Sequence, residues 1–130
     1  MKEELLAMVE DEVLGWPGVS KESSGGGRSV GGYRVPPATV YRYGRRHIGH
    51  IHDTGVTDLT FPREVHDDLI SSGRARPHAA GFASVVSYRV REAEDVPGAV
   101  ELFHMSYELA RAAAQRRGKP HRQDAAGSIL

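Results

Sequence analysis

Three of the chain's seven histidines fall in the run His47-Ile48-Gly49-His50-Ile51-His52. A strand repeats every two residues, so in an extended segment His50 and His52 point to one face and their rings can converge. Histidine changes charge near neutral pH, and its neutral ring is a common ligand, so such a pair suits proton transfer or metal binding. The same pair can also decorate a half-exposed strand with no chemistry at all. A zinc site needs a third and often a fourth ligand, for which His78, Asp53 and Asp58 are available. Beyond His-x-His, however, the chain shows no recognised ligand spacing and has no cysteine. The expectation is therefore no bound metal and no cofactor.

Asp58 precedes Leu59-Thr60-Phe61-Pro62, where a carboxylate can orient a histidine or simply serve a turn or cap. Arg63 falls in the first turn of the helix that follows. A cation there opposes the helix dipole, which leaves an anion-binding role open. That helix ends at Gly73, and Arg74, Arg76, Pro77 and His78 make a basic turn able to bind a carboxylate or enolate oxygen, or merely to be solvated. Tyr41, Tyr43, Tyr88 and Tyr107 can stack on an aromatic ligand or pack in the core. Gly25-Gly26-Gly27 and Gly31-Gly32 are not a phosphate loop, because no strand leads in, no helix begins after them and no Gly-Lys-Ser/Thr follows. Ser84, Ser87 and Ser106 lack a nucleophile elbow, so serine hydrolysis is unsupported.

The elements that must position these groups follow from apolar spacing. Leu5, Leu6, Val9 and Val13 recur at helical steps and predict an amphipathic helix over Lys2 to Leu14, stopped by a left-handed Gly15 and by Pro17, with Trp16 capping its stripe. Ser20–Gly32 is too poor in apolar surface to order itself and reads as a mobile loop. Val30–Val35, Thr39–Tyr43 and His47–His52 are candidate strands of an antiparallel meander, and Pro36-Pro37 breaks the first. Asp53–Asp58 reads as a polar connection. Val65, Leu69 and Ile70 give a short helix from Pro62 to Gly73. Ser84–Val90, apolar on both faces, reads as a central strand. Asp95 caps a last helix to about Gln115, with Val100, Phe103, Tyr107 and Ala110 facing inward beside Leu102, Met105 and Leu109. The order α-β-β-β-α-β-α predicts an α+β fold, one antiparallel sheet with helices packed on one face. Residues 1–115 make a single domain in this reading, and 116–130 a disordered polar tail whose arginines could touch an acidic surface.

Composition narrows the function. With 130 residues, 26% of them charged, there is room for one core. Seventeen basic residues balance seventeen acidic ones, so no overall field draws the protein to nucleic acid or an anionic membrane. No signal peptide or membrane-spanning stretch is visible, and the expected address is cytoplasmic. The expected partner is a small-molecule substrate. The oligomeric state stays open, a homodimer included.

Several ordered motifs belong together: Trp16-Pro17-Gly18-Val19, Arg46 to His52, Asp58 to Arg63, Gly73 to His78, Asp95 to Phe103, and Ser106-Tyr107-Glu108. Over roughly residues 14 to 110 the set resembles the luciferase-domain family, which includes fungal luciferase and many short actinobacterial proteins. The family's paired histidines match His50 and His52, its acidic position matches Asp58, its helix-start arginine Arg63, and its Pro-His step Pro77-His78. Ala79 stands where a second histidine often follows that step, and Phe82 or Ala83 where a tryptophan begins the strand. The fungal enzyme oxygenates a hydroxylated pyrone with molecular oxygen and no bound organic cofactor. The resemblance thus implies a small enzyme or ligand-binding protein for an enolisable aromatic or pyrone-like molecule. His50, His52 and Asp58 would be catalytic, and Arg63, His78, Arg74 and Tyr41 would bind substrate. Oxygenation without a cofactor is the chemistry it suggests. The order of elements also resembles the YjbR-like α+β layout, which would make the chain a binding module. A histidine-ligated metal protein is the third reading.

Overall fold

The computed structural model describes residues 2–28 and 34–128, with side chains described for 2–26 and 36–117. The first helix, α1 (Lys2–Leu14), buries Val9 and Val13 as its apolar spacing requires. It ends in backbone bonds from Gly15 to Glu12 and from Trp16 to Val13. The left-handed residue of this turn is Gly18, at φ 85°, and not Gly15. A Cβ at Gly18 would collide with the ring of Tyr43, so the turn needs glycine there for both reasons.

Six strands then follow: β1 (Val19–Ser24), β2 (Gly27–Arg28), β3 (Arg34–Val35), β4 (Ala38–Tyr43), β5 (Arg46–His52) and β6 (Val56–Thr60). After α2 (Arg63–Ser71) come β7 (Arg76–Pro77), β8 (Val85–Arg89), a short 3-10 turn at Ala93–Asp95, and α3 (Val96–Ser128). The main sheet has six strands in the order β1-β4-β5-β6-β8-β7, every neighbouring pair antiparallel. A separate small ladder joins β2 to β3. Val9, Val13, Leu69, Leu102 and Phe103 from the three helices share one core with Tyr41, Ile48, Ile51, Leu59 and Val86 of the sheet. The fold is α+β, with one antiparallel sheet and the helices on one face.

Four details differ from the sequence reading. Much of the supposed mobile loop Ser20–Gly32 is edge strand β1, whose backbone is satisfied by β4 although its side chains stay mostly exposed. Ion pairs Lys21–Glu10 and Arg42–Glu22 hold it without apolar burial. The candidate strand Val30–Val35 appears only as Arg34–Val35, the rest lying outside the described residues. The polar connection Asp53–Asp58 is a turn followed by β6, which pairs β5 on one side and β8 on the other. β8 is an inner strand, as the reading of a central strand requires, with β6 on one side and the two residues of β7 on the other. The last helix also runs past Gln115 to Ser128, since an anchored helix adds a backbone bond per residue without a new nucleus.

A β-bulge interrupts β5. Tyr41 pairs with Gly49 and Arg42 with His47, so Ile48 has no partner on β4. The Ile48 carbonyl instead accepts a hydrogen bond from buried Ser106 Oγ of α3 at 2.7 Å. The next residue, Tyr107, donates its hydroxyl to the Pro17 carbonyl at 2.8 Å and packs against Trp16. The Ser-Tyr pair thus ties α3 to the bulge and to the turn after α1. Removing the Ser106 hydroxyl strands a buried carbonyl, which costs about 1–2 kcal/mol. Ser106→Ala should therefore lower stability by that amount in denaturant titration and speed amide exchange at His47–His50.

Candidate active site

The face of the sheet away from the helices carries the histidines. Gly49 and Ile51 of β5 point to Phe103 and the core, which turns His50 and His52 to the other side. Strict alternation would send His47 to the core side, but the extra residue Ile48 brings it round to join them. Across the sheet His50 pairs with Asp58 of β6, and Asp58 with Ser87 of β8. Register alone thus sets His50, Asp58 and Ser87 in one row.

Asp58 is the hub. Its Oδ2 lies 3.2 Å from His50 Nε2, 3.1 Å from His52 Nε2 and 3.7 Å from His78 Nε2. Its Oδ1 accepts the hydroxyl of Ser87 at 2.5 Å. The outer atoms of the rings are also engaged. His52 Nδ1 lies 2.9 Å from the Pro37 carbonyl, and His50 Nδ1 lies 3.1 Å from His47 Nε2. The Ala80 amide donates to His78 Nδ1, and the His78 ring stacks on Phe82. The loop after β7 therefore folds over the cluster. Side-chain exposure grades the group: 3% for Asp58, 6% for His52, 10% for His78 and 23% for His50.

These contacts fix charge. Burial alone would raise the Asp58 carboxyl, but hydrogen bonds from His50, His52 and Ser87 outweigh it and hold the group well below the usual carboxylate range. His52 moves the other way: its hydrogen bond to Asp58 raises it against the effect of burial, helped by the Pro37 carbonyl and by the charges of Asp58 and Asp53. Burial, followed by the neighbouring His50 and Arg42, pushes His47 down to about 4, so it stays neutral at physiological pH. A carbonyl only accepts, so His52 Nδ1 carries a proton. An amide N–H only donates, so His78 Nδ1 is bare, and the neutral ring offers Nε2–H to the cluster.

Of the residues singled out in the sequence, the structure brings His50, His52, Asp58 and His78 together. Arg63 sits apart, with an 88% exposed side chain and Asp67 at 3.9 Å. Arg74 pairs with Glu101 of α3 at 2.9 Å. It shares a groove of about 450 Å³ with Arg76, Arg89 and Arg91, which reaches the cluster only at Ser87. Tyr41 lies on the helical side, edge-on to Phe103, with its hydroxyl on Glu10 at 2.5 Å. It meets His52 only as a fellow wall of a cavity of about 420 Å³ beneath α1. Sequence reasoning missed His47 and Ser87. No residue type announces a bulge at Ile48, and Ser87 becomes visible only once β8 is registered on β6.

His50, His52 and Asp58 also form a possible ligand set, each offering one atom within 4.8 Å of the others. Among the described residues, no helix is long and apolar enough to cross a membrane. Comparison with protein families adds a match to the Luciferase domain over residues 45–106. This stretch is similar to a Luciferase domain. It runs from the start of β5 to Ser106, and so contains the whole histidine–aspartate cluster together with Ser87 and the serine that pins the bulge. Tyr41, α1 and β1 to β4 precede it. No curated protein and no solved structure matches the chain. The YjbR-like layout rests on the order of elements alone.

Proposed function

We propose that the chain is a small-molecule enzyme that takes a proton from an enolisable aromatic or pyrone-like substrate. The observation that carries this reading is the sharing of one carboxylate oxygen, Asp58 Oδ2, by the Nε2 atoms of His50 and His52, with His78 Nε2 at 3.7 Å. His50 is the most exposed of the four and is the group a substrate reaches first. Its ring accepts the enol O–H proton and leaves an enolate, while Asp58 stabilises the imidazolium formed. His78, held with Nε2–H toward the cluster, donates to the developing enolate oxygen. The arginines at the groove beside Ser87 favour an anionic product at that edge of the sheet. An enolate is the electron-rich form in which such a molecule meets molecular oxygen, as the resemblance to fungal luciferase suggests.

A panel of 4-hydroxypyrones and enolisable phenylpyruvate-type acids tests this, followed by solvent deuterium exchange and oxygen uptake. His50→Gln should cut the rate about 10²- to 10⁴-fold while leaving the melting temperature within a few degrees, because the ring is partly exposed. Full turnover by folded His50→Gln protein would overturn the reading.

A further inference from the structure

We infer that His50, His52 and Asp58 form a two-histidine, one-carboxylate site for a single divalent first-row transition metal ion. The inference deepens the proposed function, since it concerns the same cluster, but it rests on separate observations. The first is distance. Two donors on a common ion at about 2.1 Å, spread by 90–110°, lie about 3.0–3.4 Å apart. The Asp58 Oδ2 edges to the two Nε2 atoms are 3.2 and 3.1 Å.

The second observation is tautomer. His52 Nδ1–H is committed to the Pro37 carbonyl, so the neutral ring presents its Nε2 lone pair to the carboxylate. His50 does the same when its Nδ1–H donates to His47 Nε2, 3.1 Å away. Two lone pairs and a carboxylate oxygen facing one another repel unless a cation, a proton or a metal ion, sits among them. Their mixture of imidazole and carboxylate donors suits ions such as iron(II), manganese(II), cobalt(II) or zinc(II).

The third is support from behind. Each of the three donors has its outer atom held: His52 by Pro37, His50 by His47 and Asp58 by Ser87. This is the outer-shell pattern of metal ligands, fixing ring orientation and donor atom together. His78 is not a ligand in this arrangement, because its Nδ1 accepts the Ala80 amide and its Nε2 keeps a proton. It remains a donor beside the ion, where a substrate oxygen would bind. Three protein ligands leave positions for that oxygen or for water. Sequence spacing did not show the set, because Asp58 joins it through strand pairing.

Cobalt(II) provides the test, since its visible absorption reports coordination by protein nitrogen and oxygen. The full chain, stripped with chelator, should take up one equivalent at micromolar concentration, develop d–d bands and melt at higher temperature. Asp58→Asn and His52→Gln should weaken binding at least 100-fold, and Ser87→Ala about 10-fold. His66→Gln and His104→Gln, which alter histidines away from the cluster, should bind as the parent does. If Asp58→Asn fails to fold, His50→Gln takes its place, with the same loss expected. No saturable uptake, or uptake indifferent to His50, His52 and Asp58, would overturn the inference. Turnover that persists in the stripped protein, with no metal uptake, removes the metal and leaves the proton-transfer reading intact. Metal uptake with no turnover on any enol does the reverse.

Discussion

In metal-free protein at pH 5.5, Asp58→Asn should lower the melting temperature by roughly 10 °C, and the deficit should shrink as the pH is raised. The carboxylate is buried against two imidazoles, and removing one partner of such a pair costs about 3 kcal/mol. For a domain of this size that corresponds to a shift of roughly 10 °C or more. The pH dependence has a definite sign. Asp58 is lowered in the folded state, so its contribution is present above the unfolded carboxyl value near 4 and is lost as pH falls through the folded value. His52 is raised, so its contribution is complete below the unfolded imidazole value near 6.5 and is lost as pH rises through the folded one. Both are present between about pH 4 and 6.5, where the variant should suffer most. Thermal melts of parent and variant from pH 4 to 9 check this, and parallel curves would contradict the assigned ion pair.

Gly49→Ala should destabilise the protein by about 1–3 kcal/mol although it adds a single methyl group. An ideal Cβ at this position lies 2.5 Å from Cε1 and 3.0 Å from Cζ of Phe103, and 3.2 Å from Cδ2 of Leu59. The ring cannot retreat freely, because Phe103 is fully buried and Tyr41 stands edge-on to it at 5.5 Å. The strand must then move, and His50 and Ile48 move with it. Phe103→Leu alone should also destabilise, by emptying part of the ring's space. The two together should cost less than their sum, with a coupling of about 1 kcal/mol or more. A double-mutant cycle in urea measures this, and additive costs would show that Gly49 and Phe103 do not press on each other.

Much of this architecture was legible in the chain. The periodicity of Leu5, Leu6, Val9 and Val13 set the first helix, and the stripe Val65, Leu69, Ile70 set the second, because burial on one helical face leaves an unmistakable spacing. His50 and His52 were readable as a pair because period two needs no tertiary knowledge. The strand Val56–Thr60 was not. It places Asp58 on the site face between two neighbours, and a buried carboxylate in a central strand looks like a loop residue until its partners are known. Nor could β1 be foreseen, since its order comes from backbone pairing with β4 and not from apolar side chains. Arg63 and Arg74 carried the right chemistry, but their positions on α2 and after it turn them to solvent and to Glu101.

The bulge at Ile48 has a consequence for how related sequences can diverge. Residues 47 to 52 serve two clients at once: Ile48, Gly49 and Ile51 answer to the core, while His47, His50 and His52 answer to the cluster. An insertion or deletion within this segment would exchange the two sets of side chains. Under the proposed function, change in substrate preference would then fall elsewhere, on His78 to Ser84, a connection without regular strand or helix that lies over Asp58 and can vary without rebuilding the sheet.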